Sequence, residues 1–221
     1  MSRFQLIQSP AGFELHDQAS QQKPLLIDFN AGALQYRYSH GGKKELLLKA
    51  VSAKPGRQVI DCTAGLGVDA FLLAASGCQV TLLERSPVLA LMLADGLARG
   101  REVSQTQQVV ARMSLVQTEA SEWLGRLAEP ADTIYIDQMF PHRQKSAAVK
   151  GGMQLLQRFL GDDGQVETLL RAALATNSRR VVVKRPLVGG DSEGVRPDFQ
   201  LRAKASRFDI YVRSSTASTI D

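Results

Sequence analysis

The chain is poor in the residues that build disulfide frameworks, metal centres and membrane anchors. Its 221 residues include two cysteines, three histidines and one tryptophan. Cys62 and Cys78 stand apart, with no CxxC pair and no histidine at ligand spacing. That pattern argues against a zinc site or a disulfide staple and places both thiols in core strands of a protein kept in a reducing compartment. No metal is expected, and the cytoplasm is the expected location. No apolar run approaches the ~20 residues needed to cross a bilayer, and the first residues lack a charged-then-apolar signal pattern, so no membrane is expected as a partner. Internal repeats and low-complexity tracts are also missing, which argues against solenoids and disordered scaffolds.

What is present is ordinary for a globular protein: 44% hydrophobic and 22% charged residues. The length suffices for a full core, and one domain with a small extension is the natural expectation. Lysine and arginine exceed the acids by enough for a net charge of +5 and a pI near 9.4. A mild excess of this kind permits a polyanionic partner without demanding one.

The organising stretch runs from Val59 to Ala74. Val59 to Cys62, after a Pro55-Gly56 break, reads as a short buried strand. Gly65 and Gly67 then permit a tight turn and a close approach of backbone to ligand. Asp69 to Ala74 has the composition of a helix start running into an apolar face. Strand, glycine turn and helix form the nucleotide-binding corner of a doubly wound α/β sheet. The next strand, Cys78 to Glu84, ends on a carboxylate able to accept hydrogen bonds from both ribose hydroxyls of an adenosine. Residues 65–70 formally fit the dinucleotide pattern GxGxxA, yet Asp61 puts a negative charge where a pyrophosphate would sit. An acid there suits a cationic ligand, and Asp61-x-Thr63-x-Gly65-x-Gly67 resembles motif I of the Rossmann-like methyltransferases, which use S-adenosylmethionine.

Around this corner the remaining elements fall into place. Residues 3–15 read as two short strands about a Ser9-Pro10-Ala11-Gly12 turn, and Leu25 to Phe29 with Leu34 to Tyr38 as a second pair. Residues 1–42 are thus expected to form a small N-terminal antiparallel β lobe, and 43–221 the Rossmann-like domain. Tyr36, Arg37, Tyr38 and His40 alternate aromatic and basic character, which suits either a nucleic-acid contact or ordinary strand faces. Residues 43–51 read as an amphipathic helix. Ser86-Pro87 opens a further helix that Gly100 should end. A loop with a partial helix follows over 101–112. Ser114 to Thr118 is the third strand, with Glu119, Ala120 and Ser121 at its end and Trp123 and Leu124 on the following helix. Asp132 to Asp137 is the fourth strand, Val166 to Ala175 a helix, Arg180 to Pro186 a buried strand, 188–197 a loop, and Lys204 to Val212 the last strands.

Asp137-Gln138-Met139-Phe140 stands at the end of the fourth strand, facing the same crevice. Amino-directed methyltransferases carry an acid or amide, a residue supplying a backbone carbonyl, one more residue and an aromatic ring. An exocyclic amine on a nucleobase is a poor nucleophile because its lone pair is delocalised into the ring. The Asp137 carboxylate and the Gln138 carbonyl can each accept one N–H and aim the lone pair, while Phe140 stacks on the extracted base. Beyond lies a basic loop, His142-Arg143-Gln144-Lys145 with Lys150, and the strand ending in Lys184 and Arg185 adds two cations. His142, Arg143, Lys145, Lys184 and Arg185 are the candidate phosphate contacts.

Taken together, the motifs Asp61-x-Thr63-Ala64-Gly65-Leu66-Gly67-x-Asp69, Leu83-Glu84-Arg85, Met139-Phe140-Pro141-His142-x-x-Lys145, Val182-Val183-Lys184-Arg185-Pro186 and Arg207-Phe208-Asp209-Ile210-Tyr211 resemble the ribosomal RNA small subunit methyltransferase J family. The likeness runs from about Ile27 to Val212. It implies a seven-stranded Rossmann-like sheet, S-adenosyl-L-methionine as cofactor, and methylation of the N2 amine of a guanine in 16S rRNA. The resemblance also implies cofactor contacts at Val68-Asp69, at Glu84-Arg85, near Glu119-Ala120, and at Asp137. Asp61, Thr63, Gly65 and Gly67 join them from the motif I reading. Gln138 departs from the pattern, which has proline there. Three other readings stay open: an N-methyltransferase for a small molecule or protein, a catalytically silent RNA-binding or assembly protein, and an NAD-dependent oxidoreductase.

Overall fold

The computed structural model describes residues 3–31, 34, 46–137, 151–161, 166–187, 195–204 and 206–213. Two sheets are present among them. β1 (Phe4–Ser9), β2 (Gly12–Asp17) and β3 (Leu25–Leu26) form a small antiparallel sheet in that order. The seven-stranded sheet comprises β4 (Gln58–Asp61), β5 (Gln79–Glu84), β6 (Met113–Gln117), β7 (Thr133–Ile136), β8 (Arg180–Pro186), β9 (Phe199–Arg202) and β10 (Ser206–Val212). Its order is β6-β5-β4-β7-β8-β10-β9. β4 to β8 run parallel, and β10 is antiparallel to both β8 and β9. The chain reverses its direction of travel across the sheet between β4 and β7, and ligands of open α/β sheets bind outside the strand ends at such a switch point.

Helices cover both faces, which is why the middle of the parallel sheet is buried: all four residues of β7 are buried. On one face Val59, Val80, Leu82, Tyr135 and Val182 pack under α1 (Leu46–Val51), α2 (Val68–Ala75) and α3 (Pro87–Arg101). On the other, Ile60, Leu83, Ile134, Ile136 and Val183 meet α5 (Ala120–Leu124) and α7 (Val166–Ala175). The short α4 (Gln107–Val110) closes the turn into β6. Leu15, Leu25, Ile27 and Phe29 of the N-terminal region join the first of these clusters, and Phe29 stacks on Phe71 with ring centroids 5.5 Å apart. Among the described residues no helix is long and apolar enough to cross a membrane.

Most elements stand where the residue pattern puts them, and Ser86 caps α3 with Pro87 at its first position. Several differ. Gly100 does not end α3, which continues to Arg101. The residue is buried, and a Cβ there would come within 3.0 Å of Val110, so its smallness serves close packing. The strand read over 25–29 is confined to Leu25–Leu26 and pairs with β2. Leu34 is helical rather than extended, and residues 35–38, with His40, lie outside the described residues. β9 begins at Phe199, ahead of the strands expected from Lys204. Residues 151–160 form a helix that the motif reading passed over, α6 (Gly151–Leu160).

α6 is fastened to the N-terminal sheet by charge. The buried carboxylate of Asp17 accepts from Arg3 at 3.0 Å and from Arg158 of α6 at 3.0 Å. These partners hold its carboxyl down at about 2, the Arg3 hydrogen bond being the largest influence. Gln22 extends the fastening to Arg158 and Gln154. α6 thereby becomes a fixed wall above the ends of β4 and β7.

Candidate active site

The turn after β4 is shaped by two glycines with different duties. Both have positive φ, 53° at Gly65 and 71° at Gly67, a region that side chains with a Cβ disfavour. A Cβ on Gly65 would meet only the Thr63 carbonyl, 3.7 Å away, and Gly65 lines the cavity. Gly67 instead faces the core, where a Cβ would come within 2.9 Å of Leu93 and 3.0 Å of Phe29. Gly65 is therefore the cavity-facing glycine, and Gly67 lets α2 start close against the N-terminal segment.

Backbone and side chains lock the strand ends together. Asp61 accepts from the Thr63 amide at 3.1 Å, and the Thr63 hydroxyl accepts from the Asp137 amide at 2.7 Å, tying β4 to β7. The Glu84 carboxylate accepts from the amides of Gly65 at 3.0 Å and Ser86 at 2.8 Å. Asp69, in the first turn of α2, accepts from the Tyr135 hydroxyl at 2.7 Å. Lys184 of β8 reaches across to donate to Asp69 at 3.2 Å and to Asp137 at 2.6 Å.

These groups surround a cavity of about 300 Å³ whose apolar side is supplied by Leu66, Met153, Leu156, Leu160 and Leu169. The acids are packed densely enough to perturb one another. Burial pushes the Asp61 carboxyl up to about 8, reinforced by the charges of Asp69, Asp137 and Glu84 and opposed by the Thr63 amide. Asp137 is pushed up to about 6 by burial, with Lys184 drawing it down and Asp69 driving it up. Glu84 is raised by burial against its Ser86 and Gly65 hydrogen bonds. Burial lowers Lys184, but Asp69 and Asp137 overcome this and hold it above its ordinary value. A cluster of carboxylates in which Asp61, Asp137 and Glu84 are displaced upward favours a cationic guest, whose charge offsets their repulsion. The residues present therefore fit a sulfonium-bearing ligand and disfavour a pyrophosphate.

Of the residues singled out from the sequence, Asp61, Thr63, Gly65, Val68, Asp69, Glu84, Arg85, Glu119, Ala120, Asp137 and Lys184 line this one cavity. Gly67 stands behind it. Arg185 points to the other face of β8, where it pairs with the buried Asp209 at 3.2 Å. Gln138, Phe140, His142, Arg143 and Lys145 lie outside the described residues. No sequence motif marks the Tyr135 hydroxyl or the α6 wall. A signal for the wall existed, since Leu155, Leu156, Phe159 and Leu160 recur at helical spacing.

The seven-stranded order, the glycine turn at the switch point and the acid-lined cavity define the class: a SAM-dependent methyltransferase. The profile of the family described as "Putative SAM-dependent methyltransferase" matches residues 1–213. More particularly, the chain belongs to the ribosomal RNA small subunit methyltransferase J family. It is 44% identical over 212 residues to the protein of that name from Nitrosococcus oceani, covering 94% of this chain and 83% of the relative. The Tolumonas auensis protein of the same name is 47% identical over 195 residues, covering 86% and 78%. The crystal structure of a SAM-dependent methyltransferase from Neisseria gonorrhoeae superposes with a TM-score of 0.76 at 33% identity, covering 98% of this chain and 85% of that one. An rRNA methyltransferase from Streptomyces viridochromogenes shares the fold alone, with a TM-score of 0.51 at 13% identity over 76% of this chain and 82% of its own. S-adenosylmethionine is the cofactor of the class, and the oxidoreductase reading is set aside.

Proposed function

We propose that this enzyme methylates the N2 exocyclic amine of a guanine in the 16S rRNA of the small ribosomal subunit, in the cytoplasm. The observation that carries this is the position of Asp137. Its carboxylate ends β7 in the cavity that Asp61 and Glu84 also line, so an amine acceptor and a cation-favouring pocket share one space. The names of the Nitrosococcus oceani and Tolumonas auensis relatives supply the RNA, and the net charge of +5 suits it.

S-adenosylmethionine, when bound, supplies a methyl group already activated by its sulfonium. The chain's residues then divide the remaining work. Asp61, with Asp69, favours the positive charge of the cofactor, and Glu84 accepts from the ribose hydroxyls. Asp137 and the Gln138 carbonyl accept the two amine N–H groups and turn the nitrogen lone pair toward the methyl. Phe140 stacks on the base, and His142, Arg143 and Lys145 meet phosphates. The new N–C bond replaces the S–C bond, and one amine proton leaves to solvent. Positioning of this kind supplies much of the rate without a covalent intermediate. Residues 1–42 serve in this reading as a lobe on a catalytic domain of 43–221, a division supported by the separate antiparallel sheet.

The test is to incubate small ribosomal subunits from a strain lacking this enzyme with labelled S-adenosylmethionine and to map the label. The expected result is one methyl on a guanine N2 of 16S rRNA. Label in a ribosomal protein, or none in RNA, would reject the proposal. The cofactor half has its own check. Glu84→Ala should weaken S-adenosylmethionine binding by about 1.5–3 kcal/mol, the range for hydrogen bonds to a charged group. Calorimetry should also find no NADH binding.

A further inference from the structure

We propose that Lys184 is a positioning residue that holds the Asp137 carboxylate in its working orientation by bridging it to Asp69 and, through Asp69, to Tyr135. This rests on the reading of Asp137 as the acceptor for the target amine.

The geometry leaves Lys184 little freedom for another task. Its ammonium sits 2.6 Å from one Asp137 oxygen and 3.2 Å from Asp69. Asp69 is fixed from the other side by the Tyr135 hydroxyl at 2.7 Å, and Tyr135 is fully buried. Among the described residues no other group hydrogen-bonds the Asp137 side chain, and this bridge orients it. Strand alternation keeps Lys184 aimed inward: it shares a face of β8 with Val182, while Val183 and Arg185 take the opposite face. Two carboxylates bound to one nitrogen would repel each other without the cation between them. A phosphate contact would draw the ammonium away from both.

Among the described residues, the charged and titratable groups that line the cavity with Asp137 are Asp61 from β4 and Cys62 just after it, Asp69 from α2, Glu84 from β5 and Arg85 just after it, Glu119 just before α5, Tyr135 from β7 and Lys184 from β8. Lys184 is the influence that lowers the Asp137 carboxyl, against burial and Asp69. Loss of the cation should therefore have two marks. The acceptor loses its orientation, and it protonates at a higher pH.

The experiment measures single-turnover methyl transfer to small subunits from a strain lacking the enzyme, as a function of pH. It compares the natural enzyme, Lys184→Met, Lys184→Arg, Asp137→Asn and the Lys184→Met/Asp137→Asn pair. Lys184→Met should lower the transfer rate about 10²-fold, the cost of a misplaced reacting group, with little change in the RNA concentration for half-saturation. Its acid limb should move up by about 1–3 pH units, and Lys184→Arg should return the limb toward its natural position. In the Asp137→Asn background the lysine substitution should add little, because the two residues act as one unit. Should Lys184→Met not fold, Lys184→Gln keeps N–H donors, one atom short of the lysine's reach, without the charge and should show the same displaced limb. An unchanged acid limb in a folded neutral variant, or a loss confined to RNA half-saturation, would overturn the inference and make Lys184 a phosphate contact. An Asp137→Ala enzyme that still methylates at the natural rate would overturn the acceptor reading itself, which separates the two failures.

Discussion

Replacing Asp137 with alanine should cost the enzyme at least about 10²–10³-fold in methyl transfer, the range for deleting one preorganised hydrogen-bonding group at a reacting centre. The fold should survive. The Asp137 amide, not its side chain, ties β7 to Thr63, and alanine keeps that amide. Lys184 is not orphaned by the change, because Asp69 remains 3.2 Å from its ammonium. The lost carboxylate is also one that the folded state tolerates poorly. Its carboxyl sits at about 6 against an ordinary 3.8, so the folded protein binds its proton more tightly than the unfolded chain. The stability that proton contributes is complete below the ordinary value and is lost as pH rises through about 6. At neutral pH the ionised group is therefore a cost to folding, accepted in the proposed mechanism for its role as acceptor. The same sign governs the rate in the opposite sense: in the proposed mechanism the ionised acceptor works, so methyl transfer should fall as pH drops through about 6. Asp137→Ala should retain the natural circular dichroism spectrum and, at neutral pH, a melting temperature at least as high as the natural one while losing turnover. Near-normal methylation of RNA by this variant would show that the amine is held elsewhere.

The parts of the site that could be read from the residues share a physical property: each is declared within a few positions of chain. Asp61, Gly65 and Glu84 sit at strand ends that a run of buried residues and a glycine mark locally. Asp137 closes a run of apolar residues that a parallel strand covered on both faces requires. The bounds of α7 and β8 coincide with their residue patterns for the same reason. What could not be read depends on partners distant in the chain. Nothing near Tyr135 says that its hydroxyl will find Asp69, 66 positions away. Gly67 looks like a second ligand-facing glycine until Leu93 and Phe29 are seen behind it. Gly100 resembles a helix stop until Val110 is found against it. Lys184 and Arg185, adjacent cations at a strand end, read alike in sequence, yet the pleat sends one into the cavity and the other toward Asp209.

That second direction carries the largest expected effect on stability. Asp209 of β10 is fully buried and engages two arginines. Arg207 donates to it at 2.9 Å and 3.3 Å, and Arg185 pairs with it at 3.2 Å. Gln200 of β9 adds a hydrogen bond at 2.8 Å. The Arg207 and Arg185 side chains are only 5% and 10% exposed, so neither is well placed to trade the carboxylate for water. Asp209→Ala should therefore destabilise by about 3–5 kcal/mol, the cost of breaking a buried ion pair by removing one partner. That is a large share of a total stability of roughly 5–15 kcal/mol. Asp209→Asn, which keeps the shape and an acceptor oxygen but not the charge, should fall between the two. Urea unfolding followed by circular dichroism reads both. The effect should reach the site as well, because β10 pairs Phe208 with Lys184 and Arg207 with Arg185. A β8 end released from β10 no longer aims Lys184 at Asp137, so under mild urea the Asp209 variants should lose methyl transfer before they lose secondary structure. An Asp209→Ala protein unfolding within about 1 kcal/mol of the natural one, the size of an ordinary single substitution, would mean that the arginines find water on this edge of the sheet. The register of β8 would then owe its stability to apolar packing from Val181, Val182 and Val183 alone.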